Sequence, residues 1–328
     1  MYISPSQKTI LSLLADGNFH SGTELAKAIN ISRSGIWKHI QSLDELGLAY
    51  IAVSGKGYRL DKSLQLLDEA EILSYVDDKA KTLIQLFELF DRIHSTNTHL
   101  VQQATQNAPS GSICLTEQQT NGRGRRGRNW VSPFGKNIYL SILWRFQAGP
   151  MAISGLSLVI GVAVIRALKY HFPNTFQLKW PNDIYLAGKK LGGILVEVSG
   201  ESDGPCAAVI GLGLNISLSQ TEAATITQAW TDLADIAGGR QINRNQLVGS
   251  LLSHLLQILA EFEECGIPSY LDEWRTYDCL KDKPGTLYIG ERRYEGIVKG
   301  IDDQGLLLLA RNDGSIQAYA SGEVSFSS

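Results

Sequence analysis

The fifteen residues MAISGLSLVIGVAVI, Met151–Ile165, carry no charge and stand between Pro150 and Arg166. A bilayer-spanning helix needs about 20 apolar residues, so this run is too short to cross a membrane and suits a buried helix. The chain's 328 residues exceed one typical domain, and two or three are expected. A net charge of −3 argues against a protein that coats nucleic acid along its whole surface, though it leaves room for one basic domain or loop. Cys114, Cys206, Cys265 and Cys279 are far apart and form no C-x-x-C. Neither a disulfide framework nor a zinc site is expected, and a reducing compartment, the cytoplasm, fits. The opening stretch MYISPSQKTI lacks the apolar run of a signal peptide, so none is expected.

Charge is distributed unevenly. Between Glu117 and Asp183 there is no acidic residue, while positions 118–182 hold nine arginines and lysines. Chance clustering with snorkelling side chains is one reading. The other is that this third of the fold receives an anion.

The first sixty residues read as a winged helix-turn-helix. A helix over about Ser6–Leu14 offers Ile10, Leu13 and Leu14 to a small core. Ser21 followed by Glu24 is a capping-box signature, and Leu25 and Ile29 give the next helix its apolar face. After a break at Asn30-Ile31, Ser32 can cap a third helix whose Ile36, Ile40 and Leu43 follow the spacing of a buried face. Its other face shows Arg33, Ser34, Trp37, Lys38, Gln41 and Ser42, the small, hydrogen-bonding and cationic groups that a groove-reading helix needs. IAVSGKGYRL then reads as strand, turn and strand, a wing with Lys56 and Arg59 able to reach phosphates. Six Lys/Arg against four Asp/Glu in this stretch is a thin surplus for a monomer, and a weak half-site reader that dimerises fits it best. A small helical domain with merely solvated charges is the alternative.

A connecting helix from Leu67 marks the boundary to the central chain. FELFDRIHSTNTHLVQQA reads as a strand, then a helix, with Ser95, Thr96 and Asn97 at the junction, able to cap the helix or to hold a ligand's polar end. The tract GRGRRGR, Gly122–Arg128, contains G-x-G-x-x-G by letter, but a dinucleotide fingerprint requires a following helix and an acidic residue about 20 positions on. Pro133 and Gly135 break any helix, Ile138–Phe146 reads as a strand, and the residue twenty positions past Gly127 is Gln147. No G-K-[ST] exists for a phosphate loop of the Walker type. What remains is a glycine-mobile, arginine-rich loop between strands. It should be disordered when empty and fold over an anionic ligand through paired guanidinium hydrogen bonds. Trp130 either covers a ligand or fills the core.

QLKWPNDIYLAGKKLGGILVEV, Gln177–Val198, reads as two strands around a turn at Ala187-Gly188, with Lys179, Asp183 and Lys190 as its charged points and Gly192-Gly193 permitting close backbone approach. Lys190 is either an exposed turn lysine or a ligand cation. AAVIGLGLNIS is an apolar strand with Gly211, Gly213 and Asn215. NRNQLVGSLLSHLLQILAEFEECG is an amphipathic helix, and after Pro284 short strands alternate with glycine and Asn-Asp-Gly turns, the pattern of a small SH3-like barrel.

Taken together, the winged helix, Ser95-Thr96-Asn97, GRGRRGRNW, KWPND, KKLGGILVE, GLGLN and the terminal barrel resemble the bifunctional biotin–protein ligases that also repress the biotin operon, over essentially the whole chain. The resemblance implies an α+β multidomain protein: a winged helix-turn-helix over residues 1–65, a catalytic domain over 66–275 with the mixed sheet of class II aminoacyl-tRNA synthetases and biotin ligases, and an SH3-like barrel over 276–328. It implies that biotin and ATP, with Mg²⁺, give biotinyl-5′-adenylate and pyrophosphate. A lysine of the biotin carboxyl carrier protein then takes the biotinyl group and AMP leaves. The adenylate also acts as corepressor, favouring homodimers that bind a palindromic operator.

The same resemblance assigns Ser95, Thr96, Asn97, Gln119, Gly122, Arg123, Gly124, Arg125, Arg126, Trp130, Lys190, Gly193, Gly211, Gly213 and Asn215 to the biotin–adenylate site, with Arg123 and Lys190 as the catalytic cations and Trp230 near the adenine. Asp183 is a candidate magnesium ligand. Ser32, Arg33, Ser34, Trp37, Lys38, Gln41 and Lys56 are the DNA-binding candidates. A lipoate-type ligase on the related fold, or a ligand-sensing repressor without catalysis, are the competing readings.

Overall fold

The computed structural model describes residues 3–201 and 204–326. Helix α1 (Pro5–Leu14) starts at Ser4, whose hydroxyl accepts from Gln7 N while the Gln7 side chain accepts from Ser4 N. This reciprocal cap satisfies two N–H groups that a helix start leaves free. Ser21 caps α2 (Gly22–Ala28) by accepting from Glu24 N at 3.1 Å. Asn30, at φ +53°, turns the chain into α3 (Arg33–Gln41). The cap expected from Ser32 is not made: its backbone is extended as an N-cap requires, but its hydroxyl pairs with Ser34 Oγ at 2.9 Å instead of a backbone N–H.

Strands β1 (Tyr50–Val53) and β2 (Gly57–Leu60) form the wing, and His20 bridges to Tyr58 on its far side. Ile10, Leu11, Leu14, Leu25, Ile36, Ile40 and Leu43 fill this core. Leu11 joins Ile10 and Leu14 in full burial, whereas Leu13, expected there, is only partly covered at its margin. Phe134, from far along the chain, completes the same core at 1 % exposure.

Two short helices, α4 (Glu69–Ser74) and α5 (Asp78–Lys81), lead to the central sheet. Its strands are β3 (Leu86–Phe90), β4 (Ser112–Thr116), β5 (Ile138–Phe146), β6 (Phe176–Lys179), β7 (Asp183–Leu186), β8 (Lys189–Gly200) and β9 (Cys206–Leu214). They lie in the order β3-β4-β5-β9-β8-β7-β6, with β3 and β4 parallel and every other neighbour antiparallel. The period of two divides the sheet's faces. Cys114, Leu143, Ala207 and Val209 pack beneath α6 (Thr96–Thr105), while Ile113, Leu115, Ile142, Ala208 and Ile210 face the other way. On that second face lie α7 (Leu156–His171) and α8 (Arg244–Cys265), with α9 (Pro268–Tyr277) against α7.

The long apolar run enters α7 at Leu156, and from there it is enclosed between sheet, α8 and α9, which is why the helix is apolar on nearly all sides; Met151, in the turn before it, is exposed. No helix among the described residues is long and apolar enough to cross a membrane.

The chain ends in a five-stranded antiparallel SH3-like sheet of β10 (Pro284–Ile289), β11 (Arg292–Ile301), β12 (Leu307–Ala310), β13 (Ile316–Tyr319) and β14 (Glu323–Phe326), ordered β13-β12-β11-β10-β14. Its apolar interior is continuous with the central core through Leu287, Val298 and Leu309. Trp180 Nε1 donates to Gly305 O at 3.0 Å across the same junction.

Candidate functional site

The open face of β5, β8 and β9 beside the start of α6 carries a layer of buried polar groups. Ser95 caps α6 through Thr98 N, which sets Thr96 and Asn97 in the helix's first turn, each 4 % exposed. Ser141, on β5, donates to Asn97 Oδ1 at 2.6 Å and stands 2.7 Å from Thr96 Oγ1. Gln119 accepts from Thr96 N at 3.0 Å and donates from Nε2 to Ser132 Oγ. Asn97 Nδ2 donates to Leu195 O and to Glu197 Oε2. Glycine at 211 is a steric requirement of this layer, because a Cβ there would fall 2.1 Å from Asn97 Oδ1. Gly213 answers to a different neighbour: the Trp130 indole lies across it, 2.4 Å from where a Cβ would be. Trp130 Nε1 is buried and has no hydrogen-bond partner among the described residues.

Above this floor the arginine tract is folded as a small hairpin. Trp130 N donates to Gly122 O, Gly124 N donates to Arg128 O, and Arg126 takes a left-handed φ of +56° at the tip. Each arginine of the hairpin has a partner within the protein. Arg123 Nη2 donates to both carboxylate oxygens of Glu197 at 3.1 Å. Arg125 Nη1 donates to Asn182 Oδ1 at 3.0 Å, and Arg126 Nη2 to Tyr288 O. Arg128 grips Glu323 with two bonds of 2.5 Å. The tract is therefore pinned to the sheet at one end and to the C-terminal strands at the other.

Lys190 rises from β8 with its Nζ 2.8 Å from Asp183 Oδ1 and 5.7 Å from the centre of the Trp130 ring. Burial, and then the neighbouring Arg126, hold the Arg125 guanidinium below its ordinary value. Lys179 is 8 % exposed, between the Tyr185 and Phe326 rings; burial lowers its pKa, and the attraction of Asp183 opposes this. Such desolvated cations favour an incoming anion more strongly than solvated ones do.

All but three of the expected ligand residues line one cavity. Gly122 lies beneath the hairpin, where a Cβ would meet Trp130 O at 2.5 Å and Ser132 Oγ at 2.6 Å. Asn215 is buried past the end of β9, its amide spent on Thr231 O. Trp230 bridges to Lys190 through its backbone and lines a neighbouring concavity with Lys189 and Asp232. The Arg123 guanidinium is held by Glu197, and Arg125 is the arginine set beside Asn182 and Asp183. Asp183 meets Lys190 through Oδ1.

Sequence reasoning missed Glu197, Ser141, Asn182, Arg128 and Glu323. Glu197 was findable, since it shares a strand face with Gly193 and Leu195 by the period of two. Glu323 had no local signal, being 195 positions from Arg128.

The winged helix carries the second candidate site. Ser32, Arg33, Ser34, Trp37, Lys38 and Gln41 are all exposed on α3, and Lys56 is exposed at the wing turn. Ser42 does not belong to this face: it is half-buried and accepts from Gln7 Nε2 at 2.6 Å. Arg59 is also drawn inward, over the Phe19 ring at 5.2 Å.

Residues 89–215 match the family described as "Biotin/lipoate A/B protein ligase family", residues 6–59 match "HTH domain", and residues 286–327 match "Biotin protein ligase C terminal domain". The chain is similar to the bifunctional ligase/repressor BirA of Salmonella typhimurium, 42 % identical over 320 residues, or 98 % of this chain and 97 % of that protein. Its likeness to the Escherichia coli protein of the same description is 40 % over 319 residues, covering 97 % and 96 %. Among solved structures, the biotin protein ligase from Aquifex aeolicus in complex with biotin and ATP aligns with a TM-score of 0.62 at 27 % identity, over 74 % of this chain and 98 % of that one.

Proposed function

The chain belongs to the biotin/lipoate A/B protein ligase family, and from that premise we propose how one molecule serves as an ATP-dependent biotin–protein ligase and a biotin-dependent repressor. Residues 66–275 carry the chemistry, 1–65 the DNA contact, and 276–328 brace the arginine hairpin. The observation that carries the ligase reading is a single cavity with a floor of buried hydroxyl and amide groups and a cluster of desolvated cations above it. A ureido ring suits such a floor, whereas a dithiolane leaves its polar groups unmatched.

In the first step a biotin carboxylate oxygen attacks the α-phosphorus of ATP, and the bond to pyrophosphate breaks. Two anions must approach, so the barrier is largely electrostatic. Lys190, aimed by Asp183, and Arg125, held by Asn182, supply positive charge where it is needed without reorganising. Lys179 suits the departing phosphates. The hairpin and Trp130 shield the mixed anhydride from water. In the second step the acceptor lysine's neutral amine attacks the acyl carbon, the bond to AMP breaks, and the amine nitrogen releases a proton. No Ser, Cys or His nucleophile is needed, because the adenylate is already the activated carboxylate.

The oxygen chemistry around Asp183 fits Mg²⁺, which binds through one or two carboxylates and substrate phosphates rather than a cage of protein ligands. Among the described residues no cluster of three or more His, Cys, Asp or Glu forms such a cage. Asp183 together with the phosphates would hold the ion, which would neutralise phosphate charge.

The exposed face of α3 and the wing read operator DNA. Their thin charge surplus suits two half-sites read by a homodimer, with the adenylate as corepressor. Use of ATP and four free cysteines suit the cytoplasm. Pyrophosphate exchange into ATP tests the ligase reading: it should require biotin and fail with lipoate. Exchange driven equally by lipoate would move the protein to the lipoate branch, and folded protein without exchange under either acid would leave only a sensor.

A further inference from the structure

A carboxylate beside a site for two anions repels them, so Glu197 needs a reason to be where it is. It lies on β8, two positions beyond Leu195 and four beyond Gly193, both of which line the cavity. Its Oε2 accepts from Asn97 Nδ2 at 2.9 Å, and both oxygens accept from Arg123 Nη2 at 3.1 Å. The first contact fixes the orientation of a buried amide. With its NH₂ turned to Glu197 and Leu195 O, Asn97 must present Oδ1 to Ser141. The second contact holds the base of the arginine hairpin, one residue past Gly122.

We propose that Glu197 is a positioning residue for adenylate retention, joining the polar floor of the cavity to the closed state of the hairpin. The pairing removes Arg123 from the cations that face the phosphates and gives it a mechanical task. Opening the hairpin breaks a charge-assisted contact on the same carboxylate that orders Asn97, so floor and lid are ordered together. This rests on the ligase reading above, because retention has meaning only if an adenylate is formed.

The test is the rate at which labelled biotinyl-adenylate leaves the full-length protein, measured for wild type, Glu197→Gln, Arg123→Gln and the double variant, with the melting temperature of each. In Glu197→Gln the amide oxygen still offers Asn97 an acceptor, but the charge that holds Arg123 is gone. Each single variant should lose the adenylate on the order of tenfold faster, with an unchanged melting temperature, and the double variant should be no faster than either. If Glu197→Gln lowers the melting temperature, Arg123→Gln, at the exposed end of the same pair, carries the comparison. Retention equal to wild type in both single variants, or multiplied losses in the double, overturns the proposal. A wild type that forms no adenylate at all counts instead against the ligase reading.

Discussion

Two regions of this molecule concentrate positive charge, and they keep it differently. On the recognition face, Arg33 and Lys38 stand exposed and make no ion pair among the described residues. Around the cavity, Arg123 and Arg128 of the hairpin are bound to Glu197 and Glu323, and Lys190 of β8 to Asp183. The free cations suit a polyanion met from solvent, where binding is driven by release of its counterions. The paired cations suit a small anion taken into a closed site, where geometry has to be fixed beforehand. One residue crosses between the regions. Phe134, four positions after Trp130, is a core residue of the winged helix.

Substitution at that crossing has the largest expected effect. Phe134→Ala should destabilise the winged helix by about 3–5 kcal/mol, the usual cost of emptying a buried aromatic site, and should also speed adenylate loss by loosening the hairpin's anchor. Denaturant unfolding alongside adenylate retention checks both. Stability lost with retention intact would make the two regions mechanically independent.

Next in size, Lys190→Ala should slow adenylate formation by about 100- to 1,000-fold, the scale of losing one preorganised charge partner. Rapid-quench formation rates read this, and a change within the error of wild type would return Lys190 to an ordinary paired lysine. On the DNA side, Arg33→Ala or Lys38→Ala should weaken operator binding by about tenfold or less and lower the log–log salt slope by about one, with biotin transfer untouched. An unchanged salt slope would remove these residues from the phosphate contacts.

The smallest effect lies in the winged helix alone. His20 sits between Asp16 and Glu24, with ring nitrogens 3.1 and 2.9 Å from their oxygens. Burial by itself would lower its pKa, but the hydrogen bonds to Glu24 and Asp16 outweigh this and raise it. The folded pKa is above the unfolded value, so the stabilisation is complete below the ordinary histidine range and is lost as pH rises through the folded pKa. Solvent screening keeps it under about 1 kcal/mol. Melting temperature followed upward from pH 6 should therefore fall slightly more in wild type than in His20→Gln, and parallel curves would contradict the assignment.

The two regions also differed in how far the sequence disclosed them. The winged helix is built from contacts a few residues apart: the helix cap at Ser21, and the spacing of Ile36, Ile40 and Leu43. These are readable one turn at a time, and the one failed cap, Ser32, failed because a neighbouring hydroxyl competed for it. The hairpin was legible as a loop, since Pro133 and Gly135 forbid a helix after it. The partners of its arginines were not, because they come from 74 and 195 positions away.

The central claim is that the product of the paired-cation cavity controls the free-cation face. The direct measurement is operator binding by wild type and Lys190→Ala, with biotin plus ATP or with biotinyl-adenylate supplied in excess. Wild type should bind more tightly under both conditions, and Lys190→Ala only with supplied adenylate. A Lys190→Ala protein that responds to biotin plus ATP as wild type does, or a wild type indifferent to both, would contradict it.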